Sequence, residues 1–207
     1  MRQSPVTFDP GNEPYLGRES VFVLDNLIPV VLESWARIER VLPGKTLTLL
    51  QAASVDLFPS TLSIGLSIRE LVRQGSLYGA VVLIRPLMER ALTHQYLVAE
   101  PTALSLWSNG WDYSKRPKMN EILAKLDRSS ILNGQNPFRH FNEHIHADPK
   151  GSIKLTRSSD TSVKYVVSKD LVNPQECDEL CMYAAAALSM VMANSLSAFF
   201  SEGQDPC

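Results

Sequence analysis

Cysteine is scarce in this chain: three in 207 residues, an odd number with no disulfide-framework spacing. That scarcity argues for a reducing compartment, and the cytoplasm is the expected location. Cys177 and Cys181 stand four apart on an expected helix; two buried thiols packing as small hydrophobes are the simpler reading, a zinc pair the sharper one. Long apolar runs also look absent, since no stretch approaches the roughly 20 uninterrupted apolar residues of a membrane helix. Val21–Leu32 is interrupted by Asp25, Asn26 and Pro29, and no membrane association is expected. The opening MRQSPVTFDPGNEP lacks an apolar core followed by small residues, so residues 1–17 read as a flexible arm, not a secretory signal. No P-loop, Gly-rich dinucleotide fingerprint, serine nucleophile elbow or zinc-finger pattern occurs. Their absence argues against nucleotide hydrolysis and oxidoreduction.

What is present is ordinary globular material: 44% hydrophobic and 20% charged residues, enough for one core in one domain over residues 18–202. The net charge of −2 hides an asymmetry. From Tyr113 to Asp170 there are eleven Lys and Arg against six Asp and Glu; the rest of the chain has nine against sixteen. A positive stretch of this kind can face phosphate, although a solvated lysine-rich loop would look the same.

Hydrophobic spacing predicts an all-α protein. Arg18–Leu42 carries a helical stripe that Pro29 should kink or split. Leu47–Phe58 should end at Pro59, and Ser60 should cap a separate helix over Thr61–Gln74, closed by Gly75. Leu77–Val98 is the strongest core helix, with a bend expected at Pro86. Short helices are expected at Ala103–Ser108 and Met119–Leu126. Ile153–Thr156 and Val163–Val167 alternate in period two about a Ser-Ser-Asp turn and predict a small β-hairpin. Asn173, Pro174 and Glu176 mark the start of a last helix running to about Phe200. The whole reads as an up-and-down helical bundle with a hairpin before its final helix.

The chemistry concentrates in RHFNEHIHADP, residues 139–149, which holds three of the four histidines. Were Phe138–Ile145 helical, His146 would lie about two turns from Arg139 and nearly on its face, whereas His144 would lie about 1.4 turns away. Metal-free RNA cleavage needs a base for the 2′-hydroxyl, an acid for the leaving oxygen and a cation for the phosphorane. Histidine serves the first two near neutral pH and the arginine fork serves the third. His94, alone on its helix, is expected to be a polar partner for a neighbour.

Arg139-His140 followed by His146, late in a small bundle, resembles the Arg-(four to six residues)-His signature of HEPN-type proteins. LYGAVVLIRPLMERAL, residues 77–92, resembles the Leu-x-Arg-Pro-x-x-Glu helix of small bacterial HEPN-like proteins, and the likeness covers roughly residues 60–200. It implies a HEPN-like bundle that dimerises so that two Arg–His pairs face each other. Its activity would be that of a metal-independent endoribonuclease, serving as a toxin or antiviral effector and needing no cofactor. Arg139 would then bind the scissile phosphate and His146 would move the proton. His144 is a further catalytic candidate, with His140, Asn142, Glu89 and Arg85 in support. Other members of the family are inactive, so the alternative is a regulatory module partnering an antitoxin or defence protein, with Trp107 and Trp111 either in its interface or in the core. Two readings need no such resemblance. His140 and His144 at i and i+4, with Asp148 nearby, suit a transition metal. Arg139 paired with Glu143 or Asp148 would be ordinary helix-surface electrostatics.

Overall fold

Residues 13–112, 114, 116–126, 156–159, 162–165 and 173–200 are described by the structure, a computed structural model. They form six helices: α1 (Glu19–Val41), α2 (Leu49–Arg73), α3 (Leu77–Ala99), α4 (Pro101–Ser108), α5 (Met119–Lys125) and α6 (Pro174–Phe200). Strands β1 (Thr156–Ser159) and β2 (Ser162–Tyr165) pair antiparallel, with Thr156 opposite Tyr165 and Ser159 opposite Ser162. This ladder sits nearer its turn than the expected strands, and Ile153, Val166 and Val167 lie outside the described residues.

The architecture is a helical bundle in which α6 packs against α1, α2 and α3. Its start follows from the local sequence. The Asn173 side-chain oxygen accepts from the Glu176 N–H at 3.1 Å, satisfying a first-turn donor that no helical carbonyl can reach. Downstream, Leu180, Ala184, Ala187, Leu188 and Val191 recur at helical spacing and are buried. The alanines keep that face slim. Gly65 of α2 approaches so closely that an added Cβ would stand 3.0 Å from both Leu188 methyl carbons. The α2–α3 turn is equally local: Ser76 N–H reaches the Leu71 carbonyl at 2.7 Å and Gly75 N–H the Val72 carbonyl at 3.0 Å. Those two bonds need a left-handed residue between them, and Gly75 has φ +75°.

Two expectations are corrected and two are refined. Pro59 does not end a helix and Ser60 is not a cap; α2 runs through both. The Ser60 hydroxyl donates to the Leu57 carbonyl at 3.0 Å and the Thr61 hydroxyl to the same oxygen at 2.6 Å, binding polar groups beside the proline's missing donor. Of the kink or split expected at Pro29, the split does not occur: α1 runs through the proline, with Leu24, Val31 and Ile38 fully buried on one face. Burying each contributes about 1.5–3 kcal/mol, which outweighs the roughly 3 kcal/mol cost of an interior proline. Residues 13–17 are not a loose arm. Tyr15 is buried, its hydroxyl accepts from Asn173 N–H at 3.2 Å, and Glu13 meets Arg69 at 3.1 Å. Finally, no uninterrupted apolar run of membrane-helix length exists, since Ser189, Asn194, Ser195 and Ser197 break Leu180–Phe200, yet α2 and α6 are both long and apolar enough to cross a membrane by length and composition. Both pack with α3 and with each other in the bundle.

Two small apolar clusters finish one region of the bundle. Ala53, Leu97 and Ala103 gather Leu57, Trp107 and Trp111. Leu92, Ile122 and Leu123 seat α5 against α3.

Candidate functional site

α3 carries the part of the expected site that the structure describes. Its Arg85 Nε lies 2.9 Å from Glu89 Oε1, one turn along, with about a quarter of each side chain exposed. Such a pair is common on helices and by itself contributes only a few tenths of a kcal/mol. Its setting is what distinguishes it. Glu89 lines a cleft of about 490 Å³ together with Arg90 and Thr93 of α3, Leu57 of α2, Trp107 of α4, and Gly110, Trp111 and Arg116 beyond α4.

Each wall has a local cause. Thr93 lies four residues after Glu89 and three after Arg90 on α3, about one turn from each, so this stretch of helix delivers a carboxylate, a guanidinium and a hydroxyl to the cleft. The chain leaves α4 through Gly110, whose N–H bonds the Trp107 carbonyl at 3.0 Å and whose φ is +78°. That left-handed residue reverses the chain and brings Trp111 to the same cleft as Trp107. Both indoles also pack on the Ala53–Leu97–Ala103 cluster, so each serves core and cleft at once. The Arg90 guanidinium donates to the Pro86 carbonyl of its own helix at 3.2 Å, which ties that end of the side chain back to α3.

Arg139, His140, Asn142, His144 and His146 lie outside the described residues, as does Asp148 of the metal alternative. The structure therefore joins Glu89 to a cleft without describing the Arg–His segment. Among the described residues no group of three or more His, Cys, Asp or Glu could hold a metal ion. Cys177 and Cys181 are fully buried free thiols. The adjacent Cys181 sulfur and then burial push the Cys177 thiol far above its ordinary range.

His94 does find the partner expected of it, but inside the core. It is fully buried, and its Nε2 lies 3.0 Å from the Ser54 hydroxyl oxygen. That hydroxyl already donates its single proton to the Leu50 carbonyl at 2.9 Å, so it must accept from the imidazole. This arrangement places the ring proton on Nε2, and Nδ1 has no hydrogen-bond partner among the described residues. Burial lowers the His94 pKa to about 4.

Arg90, Thr93 and Arg116 were not singled out from the sequence. Gly110 directly before Trp111, with Trp107 one turn earlier, is the one local sign that the indoles would converge. No protein-family model, curated protein or solved structure matches this chain.

Proposed function

We propose that this protein is a HEPN-like bundle acting on RNA as a metal-independent endoribonuclease. The observation that supports it is the cleft. Glu89, from the helix that carries the resemblance, shares it with two arginines and two tryptophans, the residue types that engage phosphate and unpaired bases. In this reading Arg139 holds the scissile phosphate and steadies the phosphorane. His146, with His144 as the second candidate, moves the proton. Two copies supply separate acid and base groups across a symmetric interface. His140, Asn142, Glu89 and Arg85 orient them.

Cleavage should survive EDTA and leave cyclic phosphate ends, since the 2′-hydroxyl is the nucleophile. Arg139→Ala or His146→Ala should each lower the rate about 10²–10⁴-fold while leaving the fold intact. Activity lost on chelation and restored by zinc would favour the His140/His144/Asp148 metal site instead. Folded variants with wild-type cleavage would remove this constellation from catalysis.

A second reading, an interaction module partnering an antitoxin or defence protein, is favoured by α1. Val23 and Val30 stand two turns apart on one exposed face, and Phe22 beside them is 68% exposed. A chain that binds such a partner but cleaves no RNA would bear it out.

A further inference from the structure

We infer that the cleft between α3 and the end of α4 is a binding subsite for a single unpaired nucleotide. The base would lie against the indoles of Trp107 and Trp111, and the phosphate would sit on Arg90 and Arg116. The inference rests on the nucleic-acid side of the function proposed above but not on catalysis.

Three observations carry it. The first is charge left unused. Arg37 lies over the Phe200 ring, and Arg18, Arg40, Arg69, Arg73 and Arg85 each meet a carboxylate. Arg90 and Arg116 meet none among the described residues, and both line the same cleft. Two uncompensated guanidinium groups at one cavity form a fork for an oxyanion, and their planar donors suit phosphate better than a halide or a single carboxylate.

The second is aromatic surface beside that charge. Trp107 and Trp111 are only partly buried, and both line the cleft as well as packing on the core. A flat π-system is what an indole face accepts, and every nucleobase has one. Glu89 adds a carboxylate acceptor for a base N–H or a ribose hydroxyl, which an anion-only site would not need.

The third is size. A cleft of about 490 Å³ falls inside the roughly 300–1,000 Å³ range of small-molecule sites. It accommodates one nucleotide but not a duplex. An acidic peptide would use the arginines and leave the indoles unexplained.

The test uses the full chain and its own fluorescence. Of three tryptophans, Trp35 is packed edge-on against Phe58 at 5.4 Å, so Trp107 and Trp111 are the ones a cleft ligand reaches. Titration with 5′-AMP or 5′-UMP should quench emission saturably. Adenosine should bind about tenfold more weakly, and inorganic phosphate alone should give no quench. Arg116→Ala, an exposed position whose loss should spare the fold, should weaken 5′-AMP about tenfold or more, the scale of one charge-assisted hydrogen bond. Trp111→Phe should remove most of the quench while circular dichroism stays unchanged. Displacement of a labelled short oligoribonucleotide by 5′-AMP assigns the subsite to nucleotides within RNA. Binding without displacement assigns it to free mononucleotide. Either outcome supports the site.

The inference is overturned by no saturable response to any mononucleotide up to about 10 mM, well above ordinary ligand affinities. Equal 5′-AMP affinity in wild type and Arg116→Ala would overturn it too. Lost mononucleotide binding with retained RNA cleavage would sink the subsite alone. Lost cleavage with retained binding would sink the catalytic reading alone.

Discussion

Acidification should weaken the fold through His94 before the carboxylates contribute. The imidazole is fully buried, and its one hydrogen bond among the described residues runs from Nε2 to a Ser54 hydroxyl that is committed to the Leu50 carbonyl. Protonation would place a second N–H at Nδ1, which has no acceptor among the described residues. Burial accordingly lowers the pKa from 6.5 to about 4. The sign follows directly. The unfolded chain takes up a proton as pH falls through about 6.5, whereas the folded chain does so only near 4. Stability is therefore complete above the unfolded value and is lost as pH falls between the two. The full loss is about 3 kcal/mol, at about 1.4 kcal/mol per tenfold change in proton affinity, and about 2 kcal/mol of it should appear between pH 7 and pH 5. Glu70, held at about 2 by Arg73 and Gln74, starts to contribute only at the acid end of that window, as pH falls below 4.5, and Asp178, held at about 2 by Arg18 and Ser20, only below 3.8, so neither adds much between pH 7 and pH 5. Urea midpoints at pH 7, 6 and 5 for wild type and His94→Leu measure the effect, because the other histidines are common to both and cancel. Leucine fills the site without a titrating group, so the variant should lose the His94 part of the slope. Identical slopes in the two proteins, or an NMR titration placing the His94 imidazole near 6.5, would refute the reasoning.

Gly65→Ala should destabilise the bundle by about 1–3 kcal/mol, as overpacking does, because its new methyl would stand 3.0 Å from two Leu188 carbons between α2 and α6. Thermal or urea unfolding checks this, and the double variant with Leu188→Ala should be less destabilised than the sum of the two single losses, because removing the buried Leu188 methyls also removes the clash. Asn173→Ala should cost about 1 kcal/mol by leaving the Glu176 N–H without its 3.1 Å acceptor. Asn173→Ser should retain most of the stability in the same measurement.

Much of the helical organisation was legible because its causes are local. Asn173, Pro174 and Glu176 start α6, and Gly75 closes α2, through hydrogen bonds made within one turn, so residue type and spacing suffice to read them. The Arg85–Glu89 pair follows in the same way from a four-residue step on α3. Only the tertiary structure decided the rest. A proline rule predicts a break at Pro59, yet α2 continues because Phe58, Thr61, Leu62, Gly65 and Ile68 are buried against distant chain, an energy no local propensity contains. Tyr15 and Glu13 read as an arm until Asn173 and Arg69, far along the sequence, provide their partners. The cleft is the clearest case. Leu57, Glu89, Trp111 and Arg116 carry no shared period or motif, and they meet because α2, α3 and the turn after α4 pack together. Residue type determined what each side chain can do; packing determined which of them do it in one place.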